Sequence, residues 1–278
     1  MSTTSERTLG RAERLTILLP GQRLAGVASG PVDGPPVLLL PGFTGSKEDF
    51  GPILDPLGEA GFRAIAIDLP GQFESPGPDD PAAYAPDRLG PIVSAAAAQL
   101  GGGVRLLGHS FGGLVARAAV IFDPDPFASL VLLSSGPAAL GGERRARIER
   151  LEPLLATHGT AELYAAVLAA ERAAPGHVPP DVETAAFLER RFLAGPRAML
   201  AGMGAALRTE PDRVAALAAV GLPTLVACGD RDDAWPPAVQ QEMAARLGAT
   251  YAVIAGVVHS SAVENPAGTL ETLLAFWR

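Results

Sequence analysis

The sequence predicts an α/β fold, a mostly parallel sheet flanked by helices on both faces. Three observations predict it. Runs of four or five residues, mostly Val, Ile and Leu with little polar alternation, recur along the chain, which is how strands buried on both faces of a parallel sheet read. Most of these runs are followed by a longer amphipathic segment, as parallel crossovers require. Glycine and proline, 32 and 26 residues, punctuate the joints.

The first elements, residues 15–19 and 23–28, read as an antiparallel hairpin turning through Pro20-Gly21 at the sheet edge. Buried strands follow at 37–40, 63–67, 104–107, 130–133, 224–228 and 250–254. Amphipathic segments at 47–60, 86–100, 111–122, 237–247 and 266–277 are the helices that cover them. The alternation breaks once. From 137 to about 208 there is only helical pattern, with helices expected near 143–157, 160–172, 181–193 and 196–207. This stretch is far longer than one crossover needs. It reads as a helical lid inserted over the carboxyl ends of the strands, where open α/β sheets bind ligands; extra core helices are the alternative.

Composition bounds the partners. A chain of 278 residues buries about 75% of its unfolded surface, and 48% apolar with 19% charged residues suits an ordinary core. The net charge is −8, and of 22 basic residues only Lys47 is a lysine. No basic stripe exists to track a phosphate backbone, so a small-molecule substrate is expected and nucleic acid is not. The single Cys228 cannot form an internal disulfide, which favours a reducing compartment. Residues 1–15 lack the apolar run of a signal peptide, and no stretch reaches the roughly 20 apolar residues of a bilayer span. A cytoplasmic protein without membrane attachment is expected, with neither cofactor nor metal. The sequence leaves its oligomeric state open.

The motif that carries chemistry follows the strand at 104–107. Gly108-His109-Ser110-Phe111-Gly112-Gly113 leads into an apolar helix and matches the G-x-S-x-G nucleophile elbow. The serine occupies a strained strand-to-helix turn, and glycines two positions to either side keep the two backbones from clashing. A plain glycine-rich turn is the competing reading. A nucleophilic serine needs a base, and the base an orienting carboxylate. Of four histidines, His109 reads as a packing residue beside the serine, while His158 and His177 fall in the 137–208 stretch and read as solvated. His259 follows the last strand, at the same edge of the sheet as Ser110. For the acid, Gly229-Asp230-Arg231-Asp232-Asp233-Ala234-Trp235-Pro236 offers three aspartates. Asp232 is favoured, with Pro236 opening the next segment; Asp230 braces the turn and Asp233 faces solvent. Asp68, at the end of another strand, is given a structural role with Arg63 or Arg88 as partner.

From about residue 15 to 277 the chain resembles the α/β-hydrolase fold superfamily, in its serine hydrolase branch with a helical lid. The order Ser110, Asp232, His259 is that superfamily's chain order. Gly256-Val257-Val258-His259, followed by Glu264-Asn265-Pro266, is similar to its histidine loop and the start of its last helix. The resemblance implies a core of residues 1–136 and 209–278, with a lid at 137–208. It also implies an oxyanion hole built from the backbone N–H groups of Phe111 and of Phe43, in Pro41-Gly42-Phe43-Thr44-Gly45. Many relatives have His-Gly where this chain has Pro41-Gly42.

A hydroxyl at position 110 separates the chain from the superfamily's dehalogenases and epoxide hydrolases, which place an aspartate there. The expected reaction is two-step acyl transfer on a small or medium, largely apolar ester or related acyl compound. A C–C lyase using the same triad, of the type found in menaquinone synthesis, and a non-catalytic ligand-binding member are the alternatives. Residues 137–208 carry nine arginines against eight acidic residues, too little net charge to attract an ionic substrate. Arg144, Arg145, Arg147 and Arg150 read as a solvated helix face. Tyr164, Phe187, Phe192, Met199 and Met203 read as packing residues rather than pocket lining.

Overall fold

A computed structural model describes residues 9–173 and 178–278. Eight strands form one sheet in the order β1-β2-β4-β3-β5-β6-β7-β8. β1 (Glu13–Leu19) and β2 (Gln22–Ser29) are the antiparallel hairpin, and β2 pairs antiparallel with β4 (Arg63–Ile67). From β4 onward the sheet is parallel: β3 (Pro36–Leu40), β5 (Val104–His109), β6 (Phe127–Leu133), β7 (Thr224–Gly229) and β8 (Thr250–Ile254). β6 begins three residues earlier than its apolar run, because the ladder with β5 starts at Val104 opposite Phe127.

Alternating side chains of each strand feed two apolar layers, as a period of two demands. Leu38 and Leu40 join the layer that includes α2 (Pro86–Gln99), α3 (Phe111–Phe122) and α9 (Pro237–Leu247). Val37 and Leu39 join the opposite layer, with α1 (Gly51–Glu59) and α11 (Pro266–Trp277). These strand residues are fully buried, and truncating such a leucine to alanine costs about 2–5 kcal/mol. The segment expected as one helix at 47–60 is instead a 3₁₀ turn, Lys47–Phe50, followed by α1. Pro52, in the first turn of α1, suits the start of a helix rather than its middle.

Between β6 and β7 the chain runs through α4 (Gly142–Thr157), α5 (Thr160–Ala173), α6 (Val182–Ala194), α7 (Arg197–Thr209) and the short α8 (Val214–Ala218). α4 packs on α5 and α7, α5 on α6, and α7 on the 3₁₀ turn Pro81–Tyr84 that follows β4. A last short helix, α10 (Ser261–Glu264), precedes α11. Among the described residues no helix is long and apolar enough to cross a membrane.

The strand order places the site. The chain steps from β3 outward to β4, then returns to add β5 on the other side of β3. The loops leaving β3 and β5 therefore diverge at their carboxyl ends, and the crevice between them is where such sheets bind ligands.

Candidate active site

β5 ends in the turn that carries Ser110, whose backbone sits at φ 53°, ψ −119°. Its N–H donates to Leu133 O at 2.9 Å, and its carbonyl accepts from Ser135 Oγ at 2.9 Å. A Cβ at Gly108 would collide with the Gly112 carbonyl, and one at Gly112 would lie 2.5 Å from the carbonyl oxygens of Leu40 and Pro41. The expected spacing of glycines about the serine thus meets a real close approach.

Among the described residues, four that are not glycine have φ in the left-handed region: Thr44, Phe73, Ser110 and Ser134. Each lies just past the carboxyl end of one of the adjacent strands β3, β4, β5 and β6. Such conformations cost about 1–3 kcal/mol apiece and collect where a site needs them.

Three of the predicted side chains meet. His259 Nε2 lies 3.0 Å from Ser110 Oγ, and His259 Nδ1 lies 3.2 Å from Asp232 Oδ1. Asp232 is almost fully buried. Its Oδ1 also accepts the Ala234 N–H at 2.9 Å, and its Oδ2 accepts Gln240 Nε2 at 3.1 Å. Burial pushes this carboxyl up, but His259 and the Ala234 N–H outweigh burial and hold it below the usual carboxylate range. Asp230 accepts the Val257 N–H at 3.2 Å and braces the turn, as expected. Asp233 faces solvent, as expected, and also pairs with Arg144 at 2.6 Å.

The histidine loop is pinned from below. Backbone N–H groups of Val258, His259 and Ser260 all donate to the Glu264 carboxylate, at 2.6, 2.9 and 2.5 Å. Burial raises the Glu264 carboxyl, and these three donors outweigh it, for a net lowering. His109 does more than pack. Its Nε2 stands 3.0 Å from the His259 carbonyl oxygen. Burial, with the nearby His259 as second cause, pushes His109 down to about 4. It is therefore neutral at pH 7, with the proton on Nε2 to donate. Neighbouring side chains diverge at the elbow, yet His109 swings far enough to support the loop that carries the other imidazole. His158 is exposed at the end of α4 against Thr157, and His177 lies outside the described residues.

Opposite Ser110, the loop after β3 carries Gly42 and Phe43. Gln72 Nε2 donates to the Gly42 carbonyl at 2.7 Å, while Gln72 Oε1 accepts the Leu69 N–H at 3.0 Å. In a trans peptide C=O and N–H point oppositely, so Gln72 turns the Phe43 N–H away from itself. Phe111 opens α3, and a first-turn N–H has no acceptor within its helix. Next to this loop Lys47 is fully buried, within 3.0 Å of Glu48, 2.9 Å of Asp68 and 2.8 Å of Glu74. Burial pushes Asp68 up to about 6 despite Lys47 beside it. The Asp68 partner is thus Lys47, not Arg63 or Arg88: Arg63 is taken by the Gly30 carbonyl and Arg88 is exposed.

A cavity of about 460 Å³ opens above these groups. Gly42, Phe43, Ser110 and His259 line it on one side, and residues of α4 to α7 on the other. Among the aromatic and methionine residues expected to pack, Phe192 lines the cavity. Met199 and Met203 are buried in the core, and Phe187 packs edge-on against Phe73. The arginine run of α4 is not wholly a solvated face. Arg144 and Arg147 line the cavity, because with Ile148, Leu151 and Leu155 they recur at three- and four-residue spacing on its inner face. Arg145 turns outward to Glu149 and the Arg208 carbonyl, and Arg150 to Glu143.

A serine, an imidazole and a carboxylate in line can move a proton from hydroxyl to ring while the carboxylate holds the ring's tautomer. Sequence reasoning missed Gln72, Gln240, Glu264 and the bracing role of His109. Each acts on a partner brought near by the fold, and only Glu264, five residues past His259, lay close enough in the chain to be suspected.

The chain is similar to known proteins. The sequence pattern of the alpha/beta hydrolase family matches residues 37–272. RutD of Variovorax paradoxus (strain S110), a protein assigned as a carbamate hydrolase, is 34% identical over 215 residues, covering 75% of this chain and 77% of its own. A thermophilic esterase from Thermogutta terrifontis superposes with a TM-score of 0.77 at 25% identity, covering 96% of this chain and 98% of its own. A hydrolase from Pseudomonas aeruginosa PA01 superposes with a TM-score of 0.76 at 26% identity, with the same shares covered. The chain belongs to the alpha/beta hydrolase family.

Proposed function

We propose that the protein is a serine hydrolase that cleaves a small or medium ester, or a related acyl compound, through an acyl-enzyme. The observation that carries this reading is the unbroken line from Asp232 through His259 to Ser110, with spacings of 3.2 and 3.0 Å. His259 Nε2 takes the Ser110 proton as Oγ attacks the carbonyl carbon. The N–H groups of Phe43 and Phe111 receive the negative charge that develops on the carbonyl oxygen. His259 then returns the proton to the leaving alkoxide. Water, deprotonated by the same ring, frees the acid and restores the serine. Asp232 orients the ring and stabilises its protonated form.

The helices of residues 137–208 act as the lid and supply the acyl pocket. Leu151, Leu155, Leu163 and Phe192 favour a largely apolar acyl chain, and a cavity of about 460 Å³ suits a small molecule. A lyase working on an anionic intermediate calls for several free arginines beneath the lid. Among the described residues four line the cavity, but Arg144, Arg191 and Arg208 are already engaged by Asp233, Asp49 and Glu152. That pairing favours the hydrolase.

The test combines a fluorophosphonate label with a p-nitrophenyl ester series of increasing chain length. Wild type should take the label and turn over the short and medium esters, and Ser110→Ala and His259→Ala should do neither. Asp232→Asn should lose about 10⁴-fold in kcat, while Asp230→Asn keeps most of its rate. Labelling that persists in Ser110→Ala, or background rates throughout the series, would overturn the reading.

A further inference from the structure

We infer that the ester carries a carboxylate on its acyl chain, and that Arg147 binds it. This inference rests on the serine hydrolase reading above and names the substrate class for that site. Three arginines of the cavity wall are already held in ion pairs. Arg191 bonds to Asp49 at 2.5 Å, Arg208 to Glu152, and Arg144 to Asp233 at 2.6 Å. Arg147 lines the same wall, half-buried, and its guanidinium has no ion pair or hydrogen bond among the described residues.

Its surroundings make that isolation costly. On the inner face of α4, Arg147 is followed by Ile148 and Leu151, and all three line the cavity. An apolar acyl chain that fills the cavity strips water from the guanidinium, and a buried cation without a partner is expensive. A carboxylate on the acyl chain removes that cost and makes a charge-assisted, bidentate contact. The sign of the wall agrees. Among the described residues of the lining, four arginines face three acidic residues, Asp49, Glu152 and Glu171. Glu171, the lining carboxylate with no ion pair among the described residues, stands on α5 in its last turn. No ion pair joins it to Arg147, so it does not take the place of a substrate anion.

The experiment compares mono-p-nitrophenyl esters of succinate, glutarate and adipate with p-nitrophenyl esters of monocarboxylic acids of the same length. Wild type should show a higher kcat/KM for the acidic member of at least one pair. In Arg147→Leu the ratio of acidic to neutral kcat/KM should fall about ten-fold or more, as expected for loss of a hydrogen bond between charged groups. Arg147→Lys should recover part of that loss, and Arg150→Leu, on the outer face, should keep the wild-type ratio. A ratio unchanged in Arg147→Leu, or a wild type that prefers the neutral ester in every pair, overturns the inference while the neutral rates keep the hydrolase reading standing. If no ester is turned over, glutarate titrated calorimetrically into wild type and Arg147→Leu still decides. Binding lost with the arginine supports the anion site, and equal or absent binding refutes it.

Discussion

At the scale of single residues, the site depends on atoms held where an isolated chain would not hold them. Ser110 keeps φ at 53° because Leu133, Gly113 and Ser135 each bond its backbone. Gln72 works the same way on the opposite wall, where its amide holds the Gly42 carbonyl and so aims the Phe43 N–H. Replacing Gln72 with leucine removes the side-chain donor from that carbonyl, leaves it the Gly45 N–H at 3.0 Å, and loosens the peptide. Loss of a whole oxyanion donor costs about 10²–10³ in kcat, so if the Phe43 N–H has the role proposed above, misaiming it should cost about ten- to a hundred-fold, with KM little changed. Steady-state kinetics of Gln72→Leu read this directly, and a normal kcat would refute it. Gln72→Glu, isosteric but without the N–H, should do no better than leucine.

At the scale of elements, the loop between β8 and α10 shows how a short helix can position chemistry. Three consecutive N–H groups converge on Glu264, and the ring of His259 rides on the segment so gathered. The sign of its pH dependence follows from a folded-state carboxyl held below its ordinary value of 4.5. Such a group contributes stability that is present above that value and is lost as pH falls through the folded one. The melting temperature of Glu264→Gln should therefore lie below wild type at neutral pH, and the gap should close in acid. Calorimetry across that range checks it, and a gap independent of pH would sink the assignment. kcat should fall with it, because the imidazole loses its fixed approach to Ser110.

Across the whole molecule, one buried guanidinium ties the helical stretch to the sheet. Arg117, on α3 behind Ser110, is 1% exposed. It donates to the carbonyls of Gly136 and Pro137, where the chain leaves the sheet, and to Glu210 at 2.8 Å, where it returns. Burial pulls its proton affinity down, and the Glu210 carboxylate partly offsets this. Removing one partner of a buried pair costs about 3–5 kcal/mol. Arg117→Met should fall near the lower end, because Arg213 still reaches Glu210 at 3.3 Å. Urea unfolding measures the loss, and Arg117→Met with Glu210→Leu should recover part of it. An Arg117→Met chain as stable as wild type would mean that the junction is held elsewhere.

Much of this was legible in the residues alone. The strands announced themselves because a sheet covered on both faces demands uninterrupted Val, Ile and Leu, and residues 63–67 and 250–254 coincide with β4 and β8. Ser110, Asp232 and His259 could be chosen because each follows a strand, and parallel strands deliver their ends to one rim. What the chain could not reveal is which distant polar groups meet there. Lys47 rather than an arginine joins Asp68, Gln72 reaches Gly42, and among the described residues Arg147 is left without a counterion while its three neighbours on the wall find theirs. Periodicity records the face on which a side chain lies. The partner it meets across a gap is decided by how loops from different strands and helices pack, and only the tertiary structure holds that.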